Sequence, residues 1–230
     1  MKRVVFAAAL LALAATGAQA QVQVNRFSVT TRLGVVSPER SSSLDQAGVV
    51  GLDTEYSLSK WFALGASVDV TRGNTHKEDF VARLRYGNSA AGGGDTIYYQ
   101  YVGQPVSTIH LGLFGLARYP GKNFAPFVMG GVGNYTMLLD TQIMGRAARK
   151  NEMSYTMGGG LWIKLSERTG LQFDARSIAM QKYDRSFLDP TLGRNKNTVF
   201  PEDFPSVPAA KKTAQNVMFT LGFRYIPGSN

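Results

Sequence analysis

The chain has 230 residues, 25 of them glycine, with 44% hydrophobic and 18% charged side chains and a formal charge of +9. It has no cysteine and only two histidines, His76 and His110, which excludes disulfide frameworks, zinc–thiolate and iron–sulfur sites and a cysteine nucleophile. Such low charge with moderate hydropathy excludes a disordered chain, and the length suffices for a large core or a closed barrel.

Residues 1–20 carry the marks of an export signal: Lys2 and Arg3, an apolar run from Val4 to Ala15, then Ala18-Gln19-Ala20 as a cleavage site. The mature chain is expected to start near Gln21 and to form a single domain over 21–230. Nothing after residue 20 approaches the ~18 apolar residues of a membrane helix, so the chain crosses a membrane with strands or not at all.

From there the pattern is period two, as in a strand with two unlike faces. In chain order the predicted strands are Arg26–Val36, Gly48–Leu58, Trp61–Thr71, Ser107–Tyr119, Phe124–Asp140, Glu152–Leu165, Leu171–Met180 and Asn216–Tyr225. The last is clearest, with Val217, Phe219, Leu221, Phe223 and Tyr225 against Asn216, Met218, Thr220, Gly222 and Arg224. Connections alternate between long (37–47, 72–106, 141–151, 181–212) and short (59–60, 120–123, 166–170). Long loops at one end and tight turns at the other are the pattern of outer-membrane barrels, which places both termini at the turn end, expected to be periplasmic. Phe80–Tyr86 and Thr96–Val102 would make a fifth hairpin, and ten strands, if they entered the membrane. Each is shorter than the ~9–11 residues of a spanning strand, so eight are expected, with this hairpin standing above the membrane.

One face of the predicted sheet is uniformly apolar; the other carries Arg32, Asp53, Glu55, Asp69, Lys164, Asp174, Arg176 and Arg224. Four acids and four bases on one face suit the inside of a narrow barrel, where an unpaired charge is costly. On a soluble barrel the same side chains would form a solvated surface, and the apolar face would line a cavity for an apolar ligand. Trp61, Phe62, Tyr119, Phe124 and Tyr225 gather at the turn end, where aromatic rings favour a bilayer interface.

Three stretches resemble the small outer-membrane β-barrels of the OmpA/OmpX type. They are the glycine–aromatic strand Pro126–Tyr135, the hairpin from Val50–Leu58 through Ser59-Lys60-Trp61 into Ala63–Val70, and the final strand Val217–Tyr225. The resemblance implies an all-β, antiparallel up-and-down barrel in the outer membrane of a Gram-negative-type bacterium. The final strand would be read by the barrel assembly machinery.

Candidate chemistry is sparse. His110 is the only strand histidine; position 112, where an H-x-S hydrolase pattern would need serine, is glycine, and Ser107 falls on the opposite face. His110 is therefore expected to be a satisfied interior group, and no catalysis, metal or cofactor is expected. Gly158-Gly159-Gly160 lies mid-strand with no following helix and is not a phosphate loop. Basic residues gather in the third loop (Arg146, Arg149, Lys150) and the fourth (Lys182, Arg185, Arg194, Lys196), where they suit phosphates of lipopolysaccharide. Nucleic acid is not an expected partner. The sequence thus points to a membrane-anchored barrel plugged by paired charges, with a structural or surface-interaction role. The alternatives are the soluble barrel just described, or a small-solute channel if the strands number ten.

Overall fold

The computed structural model describes residues 24–86, 96–101, 103–139, 148–183, 185–188 and 213–227. The expected signal segment 1–20 lies outside them. Among the described residues there are ten strands: β1 (Phe27–Pro38), β2 (Ala47–Ser57), β3 (Phe62–Asn74), β4 (Val81–Tyr86), β5 (Thr96–Tyr101), β6 (Pro105–Arg118), β7 (Phe124–Leu139), β8 (Ala148–Lys164), β9 (Thr169–Gln181) and β10 (Thr213–Tyr225). Eight close into an antiparallel barrel in the order β1-β10-β9-β8-β7-β6-β3-β2, while β4 and β5 pair only with each other. The eight-stranded reading holds, and the ten-stranded barrel is set aside.

The register fixes the tilt. Partners followed once round from Arg149 on β8 are Leu138, Ser107, Arg72, Gly48, Val35, Phe219 and Ala175, and the path returns to β8 at Gly159. The stagger is the difference between positions 159 and 149, ten residues over eight strands. At ~3.3 Å per residue and ~4.8 Å between strands, that tilts the strands by about 40°.

Alternation along each strand sets the two faces. Leu33, Val50, Leu64, Leu113, Val128, Met157, Phe219 and Leu221 lie exposed on the outside, while Thr30, Asp53, Ser67, Thr156 and Thr220 are buried inside. This inverts the arrangement of a soluble protein and is what hydrocarbon surroundings require. Trp61, Phe62, Phe124 and Tyr225 are exposed around the turn end, with Trp61 edge-on to Tyr119 at 5.5 Å.

The strands extend beyond their sequence-based limits mainly at the loop end. The clearest case is β8, which starts at Ala148 and absorbs part of the stretch expected to be a loop. The interior is also less uniformly polar than expected. Phe114, Leu116, Phe127 and Met129 pack on the inner wall of β6 and β7, and a larger apolar cluster fills the loop end.

Candidate functional site

The lumen is occupied by side chains in tiers. In the middle tier, Arg32 of β1 donates to Asp53 of β2 at 2.8 Å and to Asp69 of β3 at 2.6 Å. Arg176 of β9 donates to Asp53 at 2.5 Å and to Asp174 at 2.8 Å, and Arg32 lies 3.8 Å from Asp174. All five side chains are buried, so each charge depends on its partners rather than on water. Gly51, under the Arg32 guanidinium, makes this packing possible. A Cβ there would lie 2.4 Å from the Asp69 carboxylate and 3.0 Å from Arg32.

Nearer the turn end, Glu55 of β2 accepts from Arg224 at 2.9 and 3.0 Å and from Arg118 at 2.6 Å. Arg118 also donates to Ser57 at 2.6 Å, and the Arg224 guanidinium stacks over Trp162 at 5.2 Å. Seven of the eight charges assigned to the interior by sequence therefore meet in these two tiers. Lys164 is the exception: it is half-buried at the turn end of β8 and makes none of these contacts. Arg118 takes its place, restoring four acids against four bases. The sequence hid Arg118 because β6 places Phe114 and Leu116 on its inner face, so polarity does not mark that face; parity counted from His110 does.

Above the middle tier, His110 bridges β3 and β8. Its Nδ1 faces Asp69 at 3.3 Å and its Nε2 faces Ser154 at 3.1 Å. A carboxylate can only accept, so Nδ1–H donates to Asp69, while Nε2 shares its hydrogen bond with the Ser154 hydroxyl. Sequence spacing did not reveal Ser154, which lies 44 residues away on a strand that is not a neighbour of β6. The order Asp–His–Ser is that of a hydrolytic triad, but Ser154 has no exposed surface and Asp69 is already held by Arg32. The arrangement as it stands is a buried hydrogen-bonded bridge. Next toward the loop end, the Tyr135 hydroxyl donates to Thr108 at 3.1 Å and accepts from Asn216 at 3.0 Å.

The loop end is sealed by apolar side chains. Val36, Val49, Val106, Met137, Leu139, Ile178, Met180, Ala214 and Met218 of the inner wall pack against Phe80, Tyr183 and Leu188 from the connecting segments. Polar ties hold those segments down. The Tyr183 hydroxyl donates to the Ser42 carbonyl at 2.6 Å, Gln104 donates to the Leu188 carbonyl at 2.5 Å, and Arg40 forms an ion pair with buried Asp79. Burial alone would raise the Asp79 pKa, but the hydrogen bonds and the charge of Arg40 hold it below the ordinary carboxylate value. His76 and Asp45 add a contact at 2.7 Å across the rim.

The third-loop bases separate. Arg149 is exposed on the outer face and donates to Asn151 at 3.2 Å. Lys150 points the other way and lies 3.2 Å from Glu152, because both belong to β8 and neighbours on a strand face opposite sides. The expectation of Lys150 on the outer rim beside Arg149 is thus corrected. Arg146, Arg194 and Lys196 lie outside the described residues, as does the Arg185 side chain, while Lys182 is exposed just past β9.

Among known proteins, the model of the family described as "Outer membrane protein beta-barrel domain" matches residues 6–226. The chain is similar in structure to Neisserial surface protein A, at 11% identity and a TM-score of 0.53, over 86% of this chain and 96% of that one. It also matches the outer membrane protein OprG from Pseudomonas aeruginosa, at 12% identity and a TM-score of 0.49, over 93% and 99% of the two chains. At such identities the likeness concerns the fold alone. None of the curated proteins compared with the chain matches it.

Proposed function

The chain belongs to the outer membrane protein β-barrel domain family, and from that premise we propose that it is a closed, membrane-anchored barrel acting through its loop end rather than through its lumen. The carrying observation is the filled interior: two tiers of ion pairs, a His–Ser bridge and an apolar seal occupy successive levels. Eight strands leave an interior just wide enough for side chains to fill. A general diffusion pore would need an aqueous path past all of them. The role is then structural or one of surface interaction, without catalysis or cofactor.

In this reading residues 1–20 are an export signal removed from a single-domain mature chain, the turn end and both termini face the periplasm, and the loops face outward. The barrel assembly machinery inserts it. Outer-leaflet lipopolysaccharide is its immediate partner, with Arg149 and, beyond the described residues, Arg146 as contacts to phosphate. The cysteine-free sequence permits a direct test with single introduced cysteines and a membrane-impermeant thiol reagent on intact cells. Gln181→Cys, at the loop end, should be labelled, and Ser59→Cys, in a turn, only after the cells are broken. The reverse pattern would overturn the orientation. Liposomes carrying the protein should not swell in sugars, and rapid swelling would overturn the closed lumen.

A further inference from the structure

The charges on the eight barrel strands are distributed very unevenly. Every Asp and Glu of these strands turns inward: Asp53, Glu55, Asp69, Glu152 and Asp174. Only two charged side chains turn outward, and both are arginines toward the loop end, Arg72 of β3 and Arg149 of β8. Both are exposed, and among the described residues neither has a carboxylate partner.

Height along the barrel sharpens the picture. Phe62 stands in the aromatic ring at the turn end, and Arg72 lies ten positions further along the same strand and face (72 against 62). At ~3.3 Å per residue and a tilt of about 40°, that places Arg72 about 25 Å above Phe62, the height of the apolar band of such barrels. Between them the outward positions of β3 are Leu64, Ala66, Val68 and Val70. Arg72 thus stands where hydrocarbon gives way to headgroups.

Arg149 is reached from Arg72 along the register through Ser107 and Leu138, three strand steps or about 14 Å away. The strand stagger sets it higher, at headgroup level. Between the two, Thr136 is hydrogen-bonded to Asn134 and Asn151 on the same outer wall, at 3.0 and 2.9 Å. Arginine suits a phosphate at such a boundary because its planar fork can donate two hydrogen bonds to it.

We propose that the outer wall of β3, β6, β7 and β8 is a docking surface for one phosphorylated glycolipid of the surrounding leaflet. Arg72 holds a phosphate at the hydrocarbon boundary, Arg149 holds a second anionic group above it, and the acyl chains lie along Val70, Leu111 and Val132 below. The inference rests on the loops facing the glycolipid-bearing leaflet, and it adds Arg72, which is not a loop residue.

The test is native mass spectrometry of the intact protein in neutral detergent, titrated with diphosphoryl lipid A, fully dephosphorylated lipid A or inorganic phosphate. The wild type should retain one diphosphoryl lipid A, at least tenfold more tightly than the dephosphorylated form. Arg72→Gln with Arg149→Gln should remove that preference, Arg72→Lys should keep part of it, and Lys122→Gln, exposed in a tight turn at the opposite end, should leave it unchanged. A heat-shifted gel band confirms that each variant is folded. Equal retention by wild type and the double variant overturns the proposal, as does saturation by inorganic phosphate without preference for lipid. Because binding in detergent does not depend on insertion, failure here with loops labelled outward would fall on the docking surface alone. Success here with loops labelled inward would fall on the orientation alone.

Discussion

Asp53 on β2 and Arg176 on β9 lie 123 residues apart in sequence and meet at 2.5 Å across the lumen. Their strands are not neighbours, since β1 and β10 stand between them. The contact is therefore a strut across the barrel, and Asp53 also accepts from Arg32. Asp53→Ala should leave two buried guanidinium groups short of a counter-charge. The expected cost is about 3–5 kcal/mol, as for other buried pairs broken on one side. Urea unfolding from lipid bilayers measures it. Lys164→Ala, at a residue outside the network, should change stability by less than ~0.5 kcal/mol.

Gly51 provides a second test of the middle tier. Its missing Cβ leaves the space filled by the Asp69 carboxylate and the Arg32 guanidinium. Gly51→Ala should force both to shift and cost about 1–3 kcal/mol, as other overpacked sites do. Gly48→Ala, where a Cβ would meet nothing within 4 Å, is the matched control and should be nearly neutral.

The seal at the loop end should respond to acid in a defined direction. The folded-state pKa of Asp79 lies below its ordinary value of 3.8, so the stabilisation from its pair with Arg40 is complete above that value. It is lost only as the pH falls through the lowered folded value. Hydrogen exchange at the Asp79 amide, which donates to the His76 carbonyl at 3.0 Å, should thus show no added opening between pH 7 and pH 5 beyond the intrinsic rate. Asp79→Asn should open the same segment at neutral pH, and opening of the wild type by pH 5 would contradict the pairing.

Ser154 should not behave as a nucleophile. Its hydroxyl is fully buried and hydrogen-bonded to His110, whose other nitrogen is engaged by Asp69. A fluorophosphonate probe should leave the folded protein unmodified. An adduct that disappears in Ser154→Ala would show that solvent and substrate reach the bridge.

Much of this architecture was legible in period-two patterning, since strands such as Val217–Tyr225 alternate cleanly and a one-residue slip would turn every side chain to the wrong face. The strand number was legible too, because 80–86 and 96–102 are too short to span. The interior was legible where the inner face is polar, which is why Asp53, Glu55 and Arg224 stood out. It was not legible on β6 and β7, where Phe114, Leu116, Phe127 and Met129 give the inner face the same character as the outer. Arg118 was lost among them. The inward face of Lys150 is hidden in the sequence because the clear alternation starts at Glu152, whereas the strand itself starts four residues earlier, at Ala148. Ser154 could not be paired with His110 at all, since nothing in local spacing reports contacts across a barrel.

The closed lumen is tested most directly by single-channel recording of the purified protein in planar bilayers. A barrel filled by the Glu55 and Asp53 tiers and sealed by Phe80, Tyr183 and Leu188 should give a quiet baseline, with at most brief, small events. Large, steady openings of the wild-type protein would contradict it.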